Sequence, residues 1–169
     1  MNSQRAFIFT SPMHIYKLFE NDTPLHVVSP FSSNELTTLG LDGATVLGRI
    51  KNTALPVTHD NIEISSEFMV LYHQAVRDTM CNIPQVIEEA SQQENGFVFI
   101  VDGRAPEGKD IPKEDIIGIF LVNERKTDAS RYRPNPDYRW FTERGAAQMP
   151  YEVAIALFEK FKGYKGKID

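Results

Sequence analysis

The run Gly103-Arg-Ala-Pro-Glu-Gly108-Lys109 satisfies G-x-x-x-x-G-K and follows a strand-like segment, the setting of a loop that cradles phosphates with backbone N–H groups. The chemistry fails at the next position. A hydroxyl that holds magnesium is needed there, and Asp110 would instead repel the phosphates. Pro106 removes one amide from the cradle, and Pro112 interrupts the helix whose N-terminus should receive the anion. The segment reads as a connecting turn. The four histidines, His14, His26, His59 and His73, never stand at i, i+4, and no cysteine pair accompanies them, so no zinc-ligand set emerges. His59 and Asp60 supply two donors without a third. His73 falls off the apolar stripe of its helix, at a surface or boundary position. The lone Cys81 sits at a helix C-terminus, where no dipole lowers its thiol pKa. Carboxylate pairs occur at Glu88-Glu89, at Glu114-Asp115, and at Glu63 with Glu67, and any of them suits acid–base work if buried. Adjacent acids on a helix diverge, however, and Glu63 and Glu67 flank a helix start, where negative charge is favoured anyway. The residues therefore point to no catalytic constellation, no metal and no cofactor.

Two segments suit recognition better than reaction. Arg131, Arg133, Arg139 and Arg144 interleave with Tyr132, Tyr138 and Trp140, and two prolines stiffen the turn between them. Arginine and aromatic side chains anchor interfaces, which makes Tyr132, Arg133, Tyr138, Arg139 and Trp140 candidate partner-binding residues. The alternative is a rigid turn whose aromatics pack back on the sheet. The second segment is acidic. Residues 60–94 hold seven acids against one base, while the whole chain carries a net charge of −5. Such a field repels nucleic acid and anionic membrane and speeds association with a basic partner. Asp60, Glu63, Glu67, Glu88 and Glu89 are its candidate contacts; the plainer reading is a set of solvated helix faces.

The elements that position these groups follow from periodicity. The 169 residues suit one domain, and the single cysteine excludes an internal disulfide. Nowhere do about 18 apolar residues run together, and no signal-peptide core appears at the start, so a cytoplasmic location is expected. Residues 5–9 read as a strand. Ser11 and Pro12 then open a short helix with Ile15, Leu18 and Phe19 on one face. Residues 25–28 suit a short strand, and residues 31–56 carry little signal. Residues 61–64 read as extended. Ser65 and Ser66 cap a helix ending near Cys81, with Phe68, Leu71, Tyr72, Ala75, Val76 and Thr79 forming one stripe. Pro84 starts another helix, with Val86, Ile87 and Ala90 inward. Residues 97–101 and 116–122 read as buried strands in a loose antiparallel hairpin, and residues 138–142 as a further short strand. Pro150 opens a terminal helix packed through Ala154, Leu157, Phe158 and Phe161, closed by Gly163. Residues 163–169 read as a mobile basic tail. The expected fold is α+β, a single domain with a mainly antiparallel sheet packed against three to four helices.

The pattern Gly118-Ile-Phe-Leu-Val122, a polar turn, then Tyr132-x-Pro-Asn-Pro-x-Tyr-Arg139 resembles one found in small bacterial proteins associated with secretion systems and their toxins, including immunity-type proteins. That resemblance covers residues 118–139 and implies a non-enzymatic protein that binds a partner toxin, occluding its active site or substrate cleft. It implies no catalytic residue. The alternatives from the residues are a small enzyme pairing a carboxylate with His59 or His73, or a secretion chaperone with an exposed apolar groove.

Overall fold

The computed structural model describes residues 13–40, 45–108 and 110–164. The strand expected at residues 5–9, the cap at Ser11 and Pro12, Lys109 of the glycine loop and residues 165–169 lie outside them. Gly163 does not close the last helix, which runs on to Tyr164.

The helix expected after Pro12 is instead strand β1, His14–Glu20. Ile15, Leu18 and Phe19 do fit helical spacing, but Asn21 and Asp22 both take positive φ, 49° and 64°. Two successive residues in that region make the type I′ turn that closes a hairpin. Strand β2, Thr23–Ser29, therefore folds back antiparallel from Glu20↔Thr23 to His14↔Ser29. Strand alternation then leaves Ile15 and Phe19 exposed and turns Tyr16 inward, where its hydroxyl donates to the Phe31 carbonyl at 2.7 Å. Pro24 is tolerated within β2 because the next strand pairs only with Val27 and Val28, so no ladder bond is lost at Pro24 on that side.

In the stretch with weak sequence signal, a reciprocal capping box between Ser32 and Glu35 starts helix α1, Ser33–Leu39. Strand β3, Gly48–Ile50, and strand β4, Ile62–Ile64, complete an antiparallel sheet in the order β1-β2-β3-β4. Ser65 caps helix α2, Ser66–Met80, accepting from the Phe68 amide. The expected stripe buries Phe68, Tyr72, Ala75 and Val76, and Met80 joins it, while Leu71 and Thr79 are half-buried. Helix α3, Pro84–Ser91, buries Val86 and Ala90, which lie one turn apart; Ile87, expected inward, faces solvent because this short helix meets the core on one narrow face.

Strands β5, Asn95–Val101, β6, Ile116–Asn123, and β7, Tyr132–Pro134, form a second antiparallel sheet in the order β5-β6-β7. The strand expected over residues 138–142 is replaced by a small hairpin of β8, Phe141–Thr142, and β9, Gly145–Ala146. Helix α4, Tyr151–Tyr164, packs along α2. The fold is thus α+β with antiparallel strand pairing throughout the described residues, distributed over three sheets rather than one.

A single hydrophobic cluster draws on both larger sheets and all four helices. Aromatic rings cross it in series. Phe31 meets Phe161 at 5.4 Å between centroids, Phe161 meets Phe68 at 5.9 Å, Phe68 meets Trp140 at 5.7 Å, and Trp140 meets Tyr138 at 5.4 Å. No helix among the described residues is long and apolar enough to cross a membrane.

Candidate functional site

The acidic segment does not gather into one face. Glu63 lies on β4 and Glu67 in the first turn of α2, whereas Glu88 and Glu89 lie on α3, beyond the far end of a 15-residue helix that spans about 22 Å. Much of its charge is also answered locally. Glu63 pairs with Arg49 at 3.2 Å, Asp78 with Arg77 and Lys160 at 2.8 and 3.3 Å, and Glu94 with Arg125 at 3.2 Å. Asp60, Glu88 and Glu89 are exposed and have no ion-pair partner among the described residues. The acids of residues 60–94 are thus spread over β4, α2, α3 and the turns beside them.

The arginine and aromatic segment divides in two. Tyr132, Tyr138 and Trp140 are buried, so they are members of the core and not surface anchors. Trp140 donates its indole N–H toward Met69 Sδ at 3.0 Å, and Tyr138 donates to Asp102 Oδ2 at 2.6 Å. Arg133 and Arg139 are exposed. Arg133 folds back onto the carbonyls of Ser130 and Tyr132 at 3.1 and 2.8 Å.

The strongest polar constellation is one the spacing of residues gave no reason to suspect. Arg104, read as part of a connecting turn, is only 8% exposed, and Asp102 and Asp115 are fully buried beside it. A guanidinium has five N–H donors, and Arg104 employs all of them. It donates to Asp115 Oδ1 at 2.9 Å, to the carbonyls of Trp140, Gly145 and Glu114 at 3.0, 3.2 and 3.1 Å, and to the Arg139 carbonyl. Its plane lies over the Tyr138 ring at 5.6 Å. Arg144 completes the cluster, donating to Asp115 Oδ2 at 2.7 Å and Glu114 Oε1 at 3.0 Å. Burial pushes the Asp102 carboxyl up, against the opposing pull of Arg104. The Arg104 guanidinium at the centre of the cluster keeps no free N–H with which to meet a substrate. The cluster clasps the β5–β6 connection to the β8–β9 hairpin, and it occupies the Glu114-Asp115 pair that the sequence offers for acid–base work.

His73 does line a groove, of about 380 Å³, together with Met69, Arg77, Tyr132 and Pro134. Its Nδ1 lies 2.7 Å from the Tyr132 hydroxyl, and no carboxylate bonds to it. Burial lowers its pKa to about 4, with no charged neighbour contributing. Neutral imidazole is thus favoured on folding. The unfolded chain, with a histidine pKa of about 6.5, binds more protons between the two values, so this contribution to stability is complete above that pH and is lost as pH falls toward 4. Denaturation midpoints should drop between about pH 7 and pH 5, and His73→Gln should flatten that part of the profile. An unchanged slope in the variant would remove His73 as its source. His59 and Asp60 sit in an exposed turn and are not among the residues that line this groove. Burial also pushes the Cys81 thiol up, away from nucleophile behaviour. Among the described residues no group of three or more His, Cys, Asp or Glu side chains is placed to hold a metal ion.

The open face of the β5-β6-β7 sheet carries exposed apolar side chains. Both strands were expected to be buried, yet Phe97 and Phe99 are 51% and 49% exposed. Register explains the difference. Val98, Phe120 and Tyr132 align on the core face, and Phe97↔Leu121 and Phe99↔Ile119↔Arg133 align on the other. Two aromatics, two half-buried aliphatics and Arg133 therefore form one outward surface. A run such as Phe97-Val-Phe-Ile-Val101 is apolar at every position, so alternation could not reveal which face water reaches.

No family model matches this sequence, no curated protein matches it, and no solved structure matches it.

Proposed function

We propose that this chain is a non-enzymatic protein-binding module, of the kind that neutralises a toxin by covering it, with the open face of the β5-β6-β7 sheet as its contact surface. The observation that carries this reading is the exposure of Phe97 and Phe99, side by side on a strand whose other face is core. Exposed aromatics of that size leave considerable apolar surface in water, and adjacent exposed apolar groups mark interaction sites. The resemblance of residues 118–139 to immunity-type proteins supports the choice of partner, since those residues build β6 and β7 of this same sheet. Glu88 and Glu89 on α3, which packs against β5, add acidic charge suited to a basic toxin domain. The enzyme alternative would need a cleft with convergent, unengaged polar groups; the Arg104 cluster and the His73–Tyr132 pair are each already bonded within the fold.

The test starts from the neighbouring reading frames, one of which is expected to encode a secreted toxin domain, and co-expresses this chain with it. The chain should restore growth and co-elute with that domain. Phe97→Ser combined with Phe99→Ser should weaken the complex by about 2 kcal/mol or more, roughly 30-fold, with no loss of fold. Full protection by the double variant would remove this face from the contact.

A further inference from the structure

Among the described residues β5 has a neighbouring strand on one side only. Its other edge is filled in an unusual way at Phe97. The Gln93 side-chain amide donates from Nε2 to the Phe97 carbonyl at 2.9 Å, and the Phe97 N–H donates to Gln93 Oε1 at 3.2 Å. One carboxamide thereby supplies the acceptor and donor that the peptide groups of an added strand would supply. Gly96 makes the arrangement possible, because a Cβ there would stand 2.0 Å from Gln93 Oε1. The phase of the ladder is fixed from the other side too. Leu121, opposite Phe97, offers its carbonyl to Thr127 Oγ1 at 2.8 Å on the flank away from β5. Bonded and non-bonded pairs alternate along antiparallel strands, so the N–H and C=O of Phe99, opposite Ile119, also face the open edge.

We infer that β5 is a strand-accepting edge with a built-in stand-in: an extended segment of the partner protein pairs with Phe97 and Phe99 once the Gln93 carboxamide swings away. This inference deepens the binding reading above and rests on it. The occupant is apolar at alternate positions, to meet the outward Phe97 and Phe99 side chains, and basic at its ends. The charge follows from Glu88 and Glu89, exposed on the helix packed against β5 and without an ion-pair partner among the described residues. Main-chain bonds supply the register of such an added strand, and the alternate side chains supply its selectivity. Gln93 keeps Phe97 satisfied on the empty edge meanwhile and discourages pairing with the wrong strand there.

The probe is a blocked peptide of alternating valine and threonine with lysine at both ends, titrated into the uniformly labelled chain and followed by amide chemical shifts. Shifts should concentrate at residues 93–99. Gln93→Ala, which removes the competing carboxamide, should tighten binding by roughly tenfold. The same peptide N-methylated at alternate positions, unable to donate along its pairing edge, should not bind. Absence of any shift, shifts confined to other elements, or equal affinity in Gln93→Ala would each overturn the inference. So would concentration-dependent dimerisation of Gln93→Ala without peptide, which would assign the edge to a second copy of the chain. If Phe97→Ser with Phe99→Ser abolishes capture of the toxin domain while the peptide fails to bind any variant, the contact surface stands and strand addition falls.

Discussion

Arg104→Met lowers the unfolding free energy by about 3–5 kcal/mol, because it leaves buried Asp102 without its counter-charge and takes one of two from buried Asp115. Asp115 would keep Arg144 at 2.7 Å but lose Arg104; the carbonyls of Arg139 and Gly145 would lose this donor too, while those of Glu114 and Trp140 would keep the Arg139 and Ala147 amides. A buried acceptor left without a partner costs about 1–3 kcal/mol by itself, so the loss exceeds that of an ordinary core substitution. For a chain of this length the melting temperature should fall by roughly 10 °C. Asp115→Leu should cost a similar amount. The double variant should cost less than the sum of the two, since each single change already dismantles the shared cluster. Calorimetry on the three variants decides the matter: a loss under about 1 kcal/mol for Arg104→Met, or strict additivity, contradicts the clasp described above.

The second large effect is expected at Gly118, where backbone freedom is not the issue but space is. A Cβ at this position on β6 would meet Tyr132 Cε2 and Oη at 2.5 Å and Cζ at 2.7 Å. The Tyr132 ring lies over the glycine and reaches His73 with its hydroxyl, so it cannot retreat without giving up that bond. Gly118→Ala should therefore combine an overpacking cost of about 1–3 kcal/mol with the loss of a hydrogen bond of about 1 kcal/mol. In a Tyr132→Ala background the same substitution should be nearly silent. Equal destabilisation in both backgrounds would mean that the glycine serves β6 for another reason.

What could be read from the sequence was local. Ser65 and the Phe68 stripe announce α2, Pro84 announces α3, and the β-branched runs announce β5 and β6 as antiparallel neighbours, because each signal lies within the element it specifies. The failures share a cause of the opposite kind. Ile15, Leu18 and Phe19 keep helical spacing, but the positive-φ pair Asn21 and Asp22 commits them to a hairpin whose partner strand lies beyond the turn. Arg104 looks like any loop arginine, since its partners sit 10 to 41 positions away and come together only when the second sheet and the β8–β9 hairpin have formed. Tyr132, Tyr138 and Trp140 carry the side chains of an interface and equally those of a core, and only packing against Tyr72, Phe68 and Phe120 separates the two. The outward Phe97 and Phe99 were hidden by the same degeneracy in the reverse direction. The candidate surface is therefore composed of residues visible in the sequence whose facing was not.

The series of rings from Phe31 to Tyr138 bears on how the molecule comes apart. Phe161 and Phe68 stand between the residue that follows β2 and those that follow β7, so each larger sheet borrows its interior from helices shared with the other. Neither half retains a closed interior when the other opens. Cooperativity is thus written into the shared helices: the two sheets are thermally a single unit, and strain introduced at either end is felt as a change in the whole transition rather than as a local fraying.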